Sequence, residues 1–179
     1  MKTTVIDTCC LLNLYASQFL HEIVSAALER VLIPRGVLSE SLYIRQICNE
    51  EPEQLIPLAV DVNPFLQKRV LVATDLAGEA ERQRFVQLAG IIDDGEAECL
   101  AIASIRNFIL ATDDRRAIRV AQELGVGIIT TPDLVKKWVA EISPESEQIV
   151  RVIHNIERYG RFKPHRTSPH ALWWSNHSE

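Results

Sequence analysis

Four stretches of this 179-residue chain place carboxylates where chemistry could use them. Asp7 interrupts the apolar run of "TTVIDTCCLLNL". Glu40 ends "IPRGVLSE", Glu96 lies in "IIDDGEAECLAIA", and Asp113 and Asp114 form the pair in "ILATDDRRA". A carboxylate among Val5, Ile6, Leu11 and Leu12 is costly unless it is hydrogen-bonded, solvated or bound to a cation. Four carboxylates on one edge would repel one another and raise one another's pKa. A divalent cation relieves that repulsion. Oxygen ligands without His or Cys point to Mg2+ or Mn2+, ions that polarise a phosphoryl oxygen and lower the pKa of bound water. Asp7 then reads as a metal ligand at the end of the first strand.

Each acid also has a plain structural role. Acids favour helix N-termini by ~0.3–1 kcal/mol. Asp93 with Glu96 fits a capping box, and Asp113 fits an N-cap. Asp7 is harder to account for in this way, because Thr8 could cap the next helix without it.

The elements that must position these groups alternate between strand and helix. Strands are expected at 4–7, 31–34, 68–74 (at a sheet edge), 108–111 and 127–130. Helices are expected at 9–16, 19–30, 37–50, 78–89, 94–106, 114–124, 132–141 and 144–159. The helix at 37–50 rests on Leu38, Leu42 and Ile47 lying near one face. Residues 51–67, with three prolines, fit no element, and the last 20 residues read as an extended tail. Strands joined by helices mean crossover connections and a mainly parallel sheet, whose ligands collect beyond the carboxyl ends of the strands. Asp7 and Asp113–Asp114 follow strands and share that edge. Glu40 and Glu96 reach it if their helices start there.

Composition narrows the class. At 47% hydrophobic and 24% charged, the chain can bury a core. No apolar run approaches the roughly 20 residues of a membrane span, and the early Asp7 argues against a signal peptide. Cys9, Cys10, Cys48 and Cys99 contain no C-x-x-C pair, which disfavours a zinc ribbon or a disulfide framework. A reduced, cytoplasmic protein is expected. The net charge of −5 argues against a protein that simply coats polyanions. It does not exclude a nucleic-acid enzyme with its acids gathered in a metal site.

At "VIDTCCLLNL", "IPRGVLSE", "DDGEAECLAIA", "FILATDDRRAIRVAQELGV" and "TPDLVKKWV" the chain resembles the PIN domain, the nuclease domain of VapC-type toxins, over about residues 3–142. The resemblance implies a three-layer α/β/α sandwich with a mainly parallel central sheet. It implies Mg2+- or Mn2+-dependent endoribonuclease activity on RNA phosphodiesters, with Asp7, Glu40, Glu96 and Asp114 as the acids. Asp7, Glu96 and Asp114 would hold metal, with Asp113 as a cap or an outer ligand. Glu98 competes with Glu96, but two residues apart on a helix they are about 200° apart and cannot both face one site. Thr8 and Thr112 would bond ligand or water, or cap helices. Arg115, Arg116 and Arg119 could grip phosphates or form a solvated face. The family also implies a toxin of a toxin–antitoxin pair, with an antitoxin protein as partner; a homo-oligomer is the other assembly considered, and no membrane is expected. The non-enzyme alternative is a PIN-like module that binds RNA or protein without cutting.

Rival readings fit less well. A haloacid-dehalogenase-type phosphatase needs a second acid where Cys9 stands, a receiver domain needs its paired acids early, and no G-x-G-x-x-G or P-loop is present. Cys9 could be a thiol of lowered pKa, but with no His placed to pair with it a buried structural role fits better. The expected organisation is a nuclease-like domain at 1–142, a helix at 143–160, and a tail at 161–179 carrying Trp173 and Trp174. Arg158, Arg161, Lys163 and Arg166 make this end basic. The tail would contact RNA, fold back over its own domain or, as favoured here, dock on protein through Leu172, Trp173 and Trp174.

Overall fold

The structure, a computed structural model, describes residues 2–40, 42–47 and 54–178. In chain order the elements begin β1 (Thr3–Ile6), α1 (Thr8–Ala16), α2 (Leu20–Ala27), β2 (Arg30–Pro34), α3 (Arg35–Ser39), β3 (Tyr43–Ile47), β4 (Leu55–Ala59), α4 (Asn63–Gln67) and β5 (Val72–Thr74). They continue α5 (Gly78–Ala89), α6 (Asp94–Arg106), β6 (Ile109–Ala111), α7 (Arg115–Glu123), β7 (Ile128–Ile129), α8 (Thr131–Ile142) and α9 (Ser146–Asn155). A π-helical turn (Ile156–Gly160) and α10 (Ala171–Ser175) follow. No helix among the described residues is long and apolar enough to cross a membrane.

Two compact units form. The first, Met1–Leu11, Leu28–Glu40 and Val62–Thr131, holds a five-stranded parallel sheet in the order β5-β2-β1-β6-β7. All four residues of central β1 are buried, the pattern of a parallel strand with neither face in water. After β1 the chain builds β2 and then edge strand β5 on one side, and crosses over to build β6 and β7 on the other. Strand order reverses between β1 and β6, which is where open parallel sheets leave a ligand crevice at their carboxyl ends. Register pairs Ile6 with Ala111, so the residues that follow leave this edge side by side. Helix α6 packs on β1, β2 and β6. Its buried face includes Ala97, Ala101 and Ala103, small residues that let it approach closely, and the Cys99 thiol meets the Ile6 carbonyl at 3.5 Å.

The second unit comprises Leu12–Ala27, Ser41–Asp61 and Pro132–Glu179. It contains the antiparallel pair β3–β4, with Trp138 and Trp174 buried in its core. Phe19 packs on Trp138 and Phe162 on Trp174, each with ring centroids 5.9 Å apart.

Several expectations are corrected. The helix at 37–50 is instead the five-residue α3 followed by β3. Leu42 and Ile44 are buried while Tyr43, Arg45 and Ile47 are exposed, a period of two that fits a ribbon better than a helix face. Residues left without an element at 51–67 contain β4 and α4. Pro57 is tolerated in β4 because a two-stranded ribbon leaves one edge without a ladder partner. Residues 48–50 of the expected helix, including Cys48, and the start of the 51–67 segment lie outside the described residues. The tail is not wholly extended: α10 forms there, and Trp174 is buried with its indole N–H donating to Glu157 Oε1 at 2.9 Å.

Candidate active site

Asp7 lies where β1 gives way to α1. Its N–H donates to the Ala111 carbonyl on β6, and its own carbonyl accepts from Leu11, both at 3.0 Å. The side chain caps α1, since Oδ1 accepts the Cys10 N–H at 2.8 Å. The cap expected of Thr8 is therefore made by Asp7. Thr8 begins the helix, and its hydroxyl donates to Glu40 Oε2 at 2.8 Å. The Cys9 thiol lies 3.1 Å from both Asp7 oxygens and donates to the carboxylate, and Thr112 adds a further hydrogen bond. Asp7 is only 1% exposed. Burial outweighs these bonds and pushes its pKa up to about 7, with a smaller push from the Asp113 charge.

Beside it, β6 runs into the Thr112–Asp114 corner. Thr112 is fully buried, and its Oγ1 accepts the Asp114 N–H at 3.1 Å. Asp113 turns to the start of α8, where its Oδ1 accepts the Thr131 N–H at 2.9 Å and its Oδ2 accepts the Thr131 hydroxyl. Asp114 is the N-cap of α7, with Oδ1 accepting the N–H groups of Arg116 at 2.7 Å and Ala117 at 2.8 Å. Two adjacent aspartates thus serve different helices.

Glu96 occupies the first turn of α6. It accepts from the Asp93 N–H while the Asp93 side chain makes no capping bond, so only half of the expected capping box forms. Burial pushes its pKa up to about 7, helped by Asp114 and Asp93 and offset in part by Arg116. Glu98 turns to α3. Its Oε2 accepts the Gly36 N–H at 2.9 Å, and burial, then Asp75 and Glu40, raise its pKa. Glu40 follows α3 instead of starting a helix, and it is exposed. It still reaches the first turn of α6: a Cβ on Gly95 would collide with Glu40 Oε1, as one on Gly36 would with Glu98 Oε2. Glycine at both positions lets a carboxylate lie against backbone. Arg115, Arg116 and Arg119 are exposed on α7.

The structure therefore brings Asp7 beside Thr112 and Asp113, Glu96 within electrostatic reach of Asp114, and Glu40 against Thr8 and Gly95. Among the described residues, no three His, Cys, Asp or Glu side chains are gathered as the ligand set of one ion. The donors fit Mg2+ or Mn2+ in kind, being carboxylate oxygens. At Asp7 and Glu96 burial raises the carboxyl pKa by more than the neighbouring donors lower it.

A family model described as a PIN domain matches residues 3–166. The chain belongs to the PIN-domain family. Its match takes in every carboxylate above and runs past the 3–142 stretch that carried the resemblance. No curated protein matches the chain. PIN domains are commonly nucleases, so the family supports a nuclease-like reading of this edge.

Two residues of this PIN-domain edge escaped sequence reasoning. For Cys9 the sequence offers only a reactive or a buried structural thiol. It is a half-buried donor to Asp7, and burial, then the Asp7 and Asp113 charges, drive its pKa well up, the reverse of activation. Thr131 anchors Asp113. Its only signal was a hydroxyl residue just before Pro132 at an expected helix start.

Proposed function

We propose that this PIN domain is a metal-dependent endoribonuclease that hydrolyses RNA phosphodiester bonds at the carboxyl edge of its sheet. The observation that carries the reading is Asp7, a carboxyl 1% exposed at the strand-order reversal, whose pKa is lifted to about 7. Asp7, Glu96 and Asp114 would hold Mg2+ or Mn2+. Asp114 is favoured over Asp113 as the direct ligand, because both capping bonds of Asp114 fall on Oδ1 whereas Thr131 engages both oxygens of Asp113. When bound, such a cation supplies Lewis acidity toward a phosphoryl oxygen and toward water.

The chain's own residues do the rest. Glu40, exposed and accepting from the Thr8 hydroxyl, would orient water. Thr112 holds the Asp7 carboxylate and the Asp114 backbone in register. Arg115 and Arg116 offer guanidinium groups to phosphates next to the acids. The VapC-type likeness extends the proposal to the toxin of a toxin–antitoxin pair, restrained by an antitoxin protein, with a homo-oligomer as the other assembly. Cys9, Cys10 and Cys99 are free thiols, consistent with a reducing cytoplasm.

One observation favours the alternative of a PIN-like module that binds without cutting. Asp7 and Asp114 cap helices and Glu96 bonds the Asp93 N–H, duties that account for their positions without catalysis. Mixed RNA incubated with Mg2+ or Mn2+ separates the two. The nuclease reading expects divalent-dependent fragments from the parent and none from folded Asp7→Asn or Asp114→Asn. An inert parent, or full activity in either variant, refutes it.

A further inference from the structure

The second unit carries a cleft of a different character. One lobe, about 350 Å3, is lined by Tyr43 and Arg45 of β3, Leu55 of β4, Tyr159 and Arg161. A second, about 360 Å3, shares Arg45, Leu55 and Arg161 and adds Arg158, Phe162 and Lys163. The chain is acidic as a whole, with net charge −5, yet among the described residues these lobes hold four cationic side chains and one carboxylate, Glu157. Lys163 meets Glu157 at 3.2 Å. Arg45, Arg158 and Arg161 are exposed and form no ion pair among the described residues. Three guanidinium groups around one cleft repel one another, and an anion there relieves the repulsion.

The backbone holds this arrangement at a cost. The π-helical turn Ile156–Gly160 runs into Arg161, a non-glycine residue with φ of 58°. Both are unfavourable conformations that tend to persist where a site requires them. They set Arg158 and Arg161 in the same cleft as Arg45 of β3. Phe162 is anchored edge-on to buried Trp174, while Tyr43 stays 54% exposed. Exposed guanidinium groups suit phosphates, to which they can bond bidentately. Available rings suit bases, because every base has a face to stack.

We infer that this cleft is a second nucleic-acid site, separate from the carboxylate edge, which holds the backbone of single-stranded RNA through Arg45, Arg158 and Arg161 with Tyr43 and Tyr159 beside the bases. It supplies affinity and takes no part in bond cleavage. The inference rests on the cleft's own charge and rings and stands whether or not the PIN-domain edge cuts.

The test is titration of labelled single-stranded RNA with the full chain, without divalent ions, across a series of salt concentrations. The R45Q/R158Q/R161Q variant should bind about tenfold or more weakly at low salt. Its slope of log affinity against log salt should be shallower by about 2, from ~0.7 for each lost phosphate contact. R45K/R158K/R161K should keep most of the parental slope, and both variants should melt with the parent. An unchanged slope in the folded glutamine variant, or a parent that does not bind RNA, overturns the inference. So does a variant that loses binding to poly-glutamate but keeps RNA, which would assign the cleft to an acidic protein. RNA held through the cleft but left uncut by the parent with Mg2+ or Mn2+ counts against the nuclease reading and leaves this site standing.

Discussion

Asp7 and Glu81 are buried carboxylates of the same unit, 1% and 4% exposed, and their pKa values move in opposite directions. Glu81, on α5, meets Arg106 at the end of α6. Arg106 Nε donates to Oε1 at 2.7 Å and Nη2 to Oε2 at 2.8 Å, and the Ala77 N–H adds a bond of 2.6 Å. These contacts hold the Glu81 carboxyl below its usual range and raise Arg106. Arg106 also bonds the Thr74 hydroxyl at 3.0 Å and the Asp75 carbonyl at 2.8 Å, so the pair ties α5 and α6 to the end of β5. Among the described residues Asp7 meets a thiol, a hydroxyl and a backbone N–H and no cation, so burial wins. At Glu81 the chain carries its own counter-charge and the arrangement is complete. At Asp7 the described residues supply no counter-charge, and in the proposed function a bound cation would supply it.

The sharpest way to break this contrast is to neutralise each acid in turn. Asp7→Asn should lower divalent-dependent RNA cleavage about a thousandfold, ~4 kcal/mol of transition-state stabilisation, and leave the melting temperature of the metal-free protein unchanged or higher. Glu81→Gln should do the reverse, keeping the rate per folded molecule while lowering the melting temperature. If both variants lose stability and neither loses rate, the two acids are alike and the contrast fails.

The next effect is a pH dependence of opposite sign at the two acids. The folded pKa of Asp7, about 7, lies above its ordinary value near 4. Its contribution to stability is complete below pH ~4 and is lost as pH rises through 7. Without divalent ions the parent should lose up to roughly 4 kcal/mol relative to Asp7→Asn between pH 4 and 8. Added Mg2+ or Mn2+ at pH 8 should restore ~2.7 kcal/mol at a hundredfold excess over its dissociation constant. Glu81, with a lowered folded pKa, contributes above its ordinary value and loses that contribution as pH falls. Denaturant melts at several pH values measure both, and parallel curves for parent and Asp7→Asn would contradict the assignment.

Removing the internal counter-charge comes next in size. Arg106→Ala strands the Glu81 carboxylate in the interior and should cost about 3 kcal/mol at pH 7, more than Glu81→Gln, because the Arg106 side chain still reaches water at 23% exposure. Equal losses would mean that packing and not charge dominates the clamp. The smallest effect separates the two faces of α6. Glu96→Gln, beside Asp114, should slow cleavage at least about tenfold more than Glu98→Gln, beside Gly36 and Glu40. An essential Glu98 would move the reacting centre toward α3.

Local pattern carried much of this molecule. The bounds of α5 and α6 match those expected from periodicity, and the alternation of strand and helix led directly to a parallel sheet. Parallel connection then required Asp7 and the Asp113–Asp114 pair to leave one edge, whatever their partners. At 42–47 the spacing of Leu38, Leu42 and Ile47 pointed to a helix face, and pairing with β4 made the segment a ribbon instead. The Asp113–Thr131 and Glu81–Arg106 contacts join residues 18 and 25 positions apart. No local rule links positions so far apart, and neither do rules link Arg45 to Arg158 and Arg161. The sequence determined which carboxylates stand at strand ends, because strand direction and side-chain chemistry are local properties. Which of them receives a counter-charge from the chain, and which is buried without one, was decided by tertiary packing, because desolvation and Coulomb partners depend on what distant segments bring to within a few ångströms.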